Sequence, residues 1–86
     1  MTCRIDRLWI QQGVALRISG RIAGEDLEVL RTALEEIRAV AIELAEVELV
    51  DRDAVEFLAL SEANGIALRN CPAYFREWIT RERRRS

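Results

Sequence analysis

The chain has 86 residues, half of them hydrophobic, which predicts one domain over residues 1–86 with a core of its own. It holds thirteen arginines, no lysine, no histidine and two cysteines outside any Cys-x-x-Cys pair, which excludes Schiff-base chemistry, a phosphate-loop lysine and the usual zinc ligand sets. The formal charge of −2 is uneven: residues 25–56 carry eleven acidic and three basic side chains, whereas residues 1–24 and 57–86 are each net +3, so the middle suits a basic partner and repels nucleic acid.

Residues 4–10 hold Ile5, Leu8, Trp9 and Ile10 and read as a first strand of imperfect alternation. Gln11-Gln12-Gly13 reads as a tight turn. Residues 14–19 alternate, with Val14, Leu16 and Ile18 on one face, so the two strands should form an antiparallel hairpin. Residues 20–24 release the chain into a helix. Glu25, Asp26 and Glu28 place negative charge on its first turn, and Leu27, Leu30, Leu34 and Ile37 form an apolar stripe for packing on a sheet. Arg31, Glu35 and Glu36 fall on its solvent side.

Residues 40–44 read as a third strand, parallel to the second because a crossover helix separates them. Residues 45–50 are expected to be loop, anchored by Val47 and Leu49. Asp53 is expected to cap the second helix, with Glu56 three residues on completing a capping-box-like pattern. Val55, Leu58 and Ala59 share its inner face, on which Glu62 also falls, Phe57 and Leu60 widen it, and Asn64-Gly65 ends it. Residues 66–68 make a short fourth strand. Asn70-Cys71-Pro72 opens a last helix with Pro72 at its first position, Phe75, Trp78 and Ile79 on its apolar face, and an arginine-rich end at residues 81–85. The order β-β-α-β-α-β-α predicts an α/β fold: a small mixed β-sheet with helices packed mainly on one face.

No apolar run approaches 18 residues and none opens the chain as a leader would, so the expected location is cytoplasmic with no membrane span. Cys71 reads as a small buried hydrophobe rather than a nucleophile, and a disulfide with Cys3 is not expected in a reducing compartment. Trp9, Tyr74, Phe75 and Trp78 read as core, although Tyr74 and Trp78, four residues apart, also fit an interface patch.

Asp51-Arg52-Asp53 stands where a helix begins, and it has two readings. Two carboxylates can serve acid–base work or a divalent ion, but that chemistry needs further convergent groups. The plainer reading is that Asp51 orders the loop and Asp53 caps the helix. Arg52 either pairs locally or faces a partner. No cofactor, metal site or catalytic residue emerges. The C-terminal arginines, with Arg69 and Arg76, read either as a solvated helix end or as a weak contact for nucleic acid or an anionic membrane surface.

The stretches Leu16-Arg17-Ile18-Ser19-Gly20-Arg21-Ile22, Ala41-Ile42-Glu43-Leu44-Ala45-Glu46-Val47, Val50-Asp51 before the second helix, and Gly65-Ile66-Ala67-Leu68 after it together resemble a STAS domain over nearly the whole chain. That is the fold of bacterial anti-sigma factor antagonists and of the cytoplasmic tails of sulfate transporters. In the antagonist branch the loop reads Asp-Ser-Ser-Gly, and a partner that is both anti-sigma factor and serine kinase phosphorylates the second serine. Here Asp51, Arg52, Asp53 and Ala54 fall at those positions, so the phosphoacceptor position holds Asp53 and cannot be phosphorylated as a serine. The family continues with a further strand and helix, so the resemblance implies a fold shortened at the C-terminus, with a sheet edge that a partner or a second copy would cover. It implies a non-enzymatic protein-interaction domain for signal transduction and transcription regulation. Its partner would be an anti-sigma factor or serine-kinase-like regulator, docking on Asp51, Arg52, Asp53, Val55 and Glu56. The alternative is an accessory subunit of a transporter or signalling complex. A weak homodimer is also compatible.

Overall fold

The computed structural model describes residues 3–85; Met1, Thr2 and Ser86, the ends of the expected domain, lie outside the described residues. The expected hairpin forms one edge of the sheet. Strand β1 (Cys3–Ile10) pairs antiparallel with β2 (Gly13–Ile22), from Cys3 opposite Gly20 to Ile10 opposite Gly13. Gly13 has φ +146°, a backbone conformation that residues with side chains rarely adopt, so the turn calls for glycine.

A single 3₁₀ turn (Gly24–Asp26) leads into α1 (Leu27–Ile37). Asp26 secures this entry: it is buried, and its carboxylate accepts a hydrogen bond from the Ala23 N–H at 2.9 Å. Strand β3 (Ala41–Val50), helix α2 (Arg52–Ala63), strand β4 (Ala67–Arg69) and helix α3 (Ala73–Arg85) follow. The strand order is β1-β2-β3-β4, with β2–β3 and β3–β4 parallel, as the crossover helices require.

β3 corrects one expectation. Residues 45–50 are strand, not loop, because β2 runs on to Ile22 and offers a pairing edge as far as Val50. Register shifts between Arg17 and Ser19 and between Gly20 and Arg21 break the alternation, which disguises the strand in the sequence. The shifts bury Val47 and leave Leu49 exposed.

One face of the sheet supplies Leu16, Ile18, Ile22, Ile42, Leu44 and Val47 to the core. Leu30 and Leu34 of α1, Val55 and Leu58 of α2, and Phe75 and Ile79 of α3 close over them. The helix stripes read from three- and four-residue spacing are therefore the packed ones. Pro72 sits just before α3 rather than at its first position, where its carbonyl accepts the Arg76 N–H at 3.0 Å. Trp9 is not core: it lies beside the hairpin turn on the edge strand, opposite Val14, and is 76% exposed. Tyr74 is also exposed; its hydroxyl donates to the Glu48 carbonyl at 2.6 Å, and its ring stands edge-on to Phe75.

A charged clamp fixes α3 on α2. Arg76 donates to both oxygens of Glu62 at 2.7 Å, and Arg83 adds a bond at 3.0 Å. The Arg76 guanidinium holds the Glu62 carboxyl below the usual glutamate range, and Glu62 in turn raises Arg76. Two of the arginines considered for nucleic-acid contact are thus engaged inside the fold. Arg69 approaches Glu43 at 4.0 Å.

The opposite face of the sheet carries a row of four residues in mutual register: Asp6 on β1, Arg17 on β2, Glu43 on β3 and Arg69 on β4. Glu43, 6% exposed, is held by Asn70, whose side-chain amide lies within 3.1 Å of both carboxylate oxygens. Two residues along the strands, on the same face, a second row in register runs Leu8, Ala15, Ala41, Ala67.

Candidate docking site at the carboxyl ends of β2 and β3

The loops that follow β2 and β3 lie side by side, and Asp51 joins them. It is the N-cap of α2, with extended backbone (φ −96°, ψ 179°). Its Oδ1 accepts the Ala54 N–H at 2.8 Å, and its Oδ2 accepts the Gly24 N–H at 2.9 Å from the other loop. Its own N–H donates to the Ile22 carbonyl at 3.2 Å. The sequence expectation is thereby corrected: Asp51, not Asp53, caps the helix. Both residue types make good caps, and only the length of β3 decides which one stands at the boundary. With Asp51 as cap, the third helical residue is Ala54, so the Asp53–Glu56 capping box does not form.

Asp53 is the second residue of α2 and is exposed. Its carboxylate rests against the neighbouring loop: a Cβ at Gly24 would lie 2.8 Å from Asp53 Oδ2 and 3.4 Å from its Cβ. The absent side chain at Gly24 gives Asp53 its place. The positive end of the α2 dipole favours a negative charge here. Arg52 pairs with Glu56 one turn on at 3.4 Å; both side chains are more than half exposed, so this pair contributes only a few tenths of a kcal/mol.

Of the five residues expected to meet a partner, Asp51, Arg52, Asp53 and Glu56 line one exposed surface, while Val55 is fully buried in the core. Val55 seats the helix on the sheet and presents nothing outward. Sequence reasoning missed Leu60. The spacing puts it on the widened apolar side of α2, yet it is 60% exposed and lines two grooves. One, of about 310 Å³, runs between α2 and α3 past Glu56, Ala59 and Arg83; the other, of about 240 Å³, runs between α1 and α2 past Arg31, Leu34 and Phe57. The available signal was that Leu60 falls outside the Val55–Leu58–Ala59 arc.

Among the described residues no three His, Cys, Asp or Glu side chains converge as a metal site. Both cysteines are free, and burial pushes each thiol up, Cys3 further raised by Asp26, so neither is an activated nucleophile. No helix among the described residues is long and apolar enough to cross a membrane.

No protein-family model and no curated protein matches the chain significantly. Among solved structures, the chain is similar to the STAS domain of an antisigma-factor antagonist from Rhodobacter sphaeroides, with a TM-score of 0.62 at 10% identity over 80% of this chain and 87% of that one. An uncharacterised protein with a SpoIIAA-like fold from Shewanella loihica aligns over 92% of this chain and 75% of its own, at 23% identity and a TM-score of 0.47. At these identities the likeness is one of architecture. The fold is STAS-like: a small mixed sheet with helices on one face.

Proposed function

We propose that this chain is a non-catalytic protein-interaction domain of the anti-sigma factor antagonist kind, docking through the start of α2 and the two loops beside it. The observation that carries the reading is the division of labour between two carboxylates. Both oxygens of Asp51 are used in holding the loops together, while Asp53 is exposed at the helix start, where it can meet a partner. On the STAS pattern Asp53 occupies the phosphoacceptor position. It brings one negative charge where a phosphoserine brings nearly two, so it resembles the phosphorylated form in part and is not switched as a serine would be. The similarity of fold to a known antagonist supports this reading. An accessory place in a transporter or signalling complex would use the same surface and differ only in the partner. The proposed setting is cytoplasmic, with residues 1–86 acting as one unit.

The test is affinity capture from the source organism with wild type and an Asp53→Arg variant, followed by titration of the captured protein against both and against Asp53→Ser. Capture of a sigma-regulatory or kinase-like protein that Asp53→Arg loses and Asp53→Ser binds differently supports the proposal. A partner that binds all three equally refutes it.

A further inference from the structure

The face of the sheet away from the helices is patterned in a way the docking site does not use. Residues in register on neighbouring strands project to the same side. Leu16 and Ile42, which precede Arg17 and Glu43, point into the core, so Asp6, Arg17, Glu43 and Arg69 project from the other face. Their charges alternate strand by strand: minus, plus, minus, plus. An alternating row of even length has a property that an odd one lacks. Turned about a two-fold axis lying along the strands, between β2 and β3, it meets its own copy with opposite signs at both ends. Asp6, which within its own chain lies 3.4 Å from Arg4 and 3.8 Å from Arg17, then faces Arg69 of the second copy, while Glu43, 6% exposed and held by Asn70, stays within its own chain. An axis across the strands would set each charge against itself.

The neighbouring row obeys the same operation in shape. Leu8 at one end of its row stands opposite Ala67 at the other, while Ala15 and Ala41 between them are already buried in their own chain and leave the contact to the two ends. A hollow of about 400 Å³ lies around Ala41 and Ala67, walled by Ile10, Val40 and Arg69. It lies where the second copy's Leu8 arrives. Charge and volume therefore select one symmetry operator independently.

We infer that this face is an isologous interface between two copies of the chain, related by a two-fold axis parallel to the strands. Its size is small. Three strands about 4.8 Å apart over the span from Arg4 to Ile10, with β4 adding only Ala67–Arg69, give roughly 330 Å² per copy, under half that of a standard stable interface. The association is weak and belongs to high local concentration.

The experiment uses sedimentation equilibrium on the full chain up to about 1 mM, a range chosen for an interface of this size. Asp6→Arg sets Arg69 of the copy against a like charge, and Arg69→Asp does the same to Asp6. Each variant alone should lose self-association at least about tenfold. Mixed in equal amounts, the two variants restore every opposed pair and should associate with each other, although neither does so alone. Circular dichroism of each variant establishes that it is folded. Should either fail to fold, Ala67→Gln, at an exposed position, replaces it: filling the hollow should abolish association without touching a charge. Wild type that stays monomeric throughout, variants that still self-associate, or a mixture that does not pair would each overturn the proposal.

Discussion

Replacing Asp51 with alanine removes two hydrogen bonds, one local and one that joins two loops, and the cost follows from their geometry. The bond to Ala54 N–H is a helix cap, worth about 1 kcal/mol. The bond to Gly24 N–H is charge-assisted at 2.9 Å and bridges 27 residues of sequence, adding about 1–1.5 kcal/mol after allowance for its exposure. Asp51→Ala should therefore lower stability by about 2–2.5 kcal/mol, a sizeable share of the roughly 4–13 kcal/mol expected for a domain of this length. With a urea slope near 1 kcal/mol/M for so small a protein, the midpoint falls by about 2 M. Asp53→Ala removes no hydrogen bond seen in the structure and should cost under about 0.5 kcal/mol through the helix dipole. Asp51→Asn keeps one acceptor, loses the other, and should lie between the two. Urea titrations followed at 222 nm measure all three. Equal losses for Asp51→Ala and Asp53→Ala, or a larger loss for Asp53→Ala, would refute the assignment of Asp51 as cap and loop tie.

Gly24→Ala should change stability by under about 0.5 kcal/mol in a urea titration, because the atom its methyl meets most closely is the carboxylate oxygen of Asp53, the free end of an exposed side chain that can swing aside. Glu62 has a lowered carboxyl pKa in the fold, so its contribution is full above the ordinary glutamate range and is lost as pH falls through the lowered value. Glu62→Gln should thus be less stable than wild type by about 1–2 kcal/mol at pH 7, with the gap closing as pH falls below the ordinary glutamate range, as read from thermal melts across that range. Leu58→Ala should lower stability by about 2–5 kcal/mol, whereas Leu60→Ala, two residues away and exposed, should change it by under about 0.5 kcal/mol; chemical denaturation separates the two.

The parts of the fold legible in the sequence were those governed by one face and one period. The stripe of α1, the hairpin and the parallel setting of β2 and β3 follow from local spacing and crossover length. The second half of β3 was hidden because its register shifts, between Arg17 and Ser19 and between Gly20 and Arg21, lie in its pairing with β2 and leave no period-two signature. The cap was misplaced by two residues for the same reason. Asp51 and Asp53 are chemically equivalent until the end of β3 is known, and that end is set by Ile22 on another strand. Trp9 misled because bulk and apolarity do not say whether a strand lies at the centre or the edge. At the candidate site the carboxylates were visible from composition; their separate roles were not, since the Gly24 contact with both comes only from folding.

The strands stand in the sheet in the order in which they occur in the chain. No strand has to be threaded between two that are already paired. The hairpin needs only a two-residue connection, and each later strand adds to a single border, with a crossover helix ahead of it in the chain. A chain emerging from the ribosome can then assemble in step with its own synthesis, exposing one pairing edge at a time on that side. The Asp51 carboxylate, reaching back to Gly24 across 27 residues of sequence, is a latch that needs both loops in place.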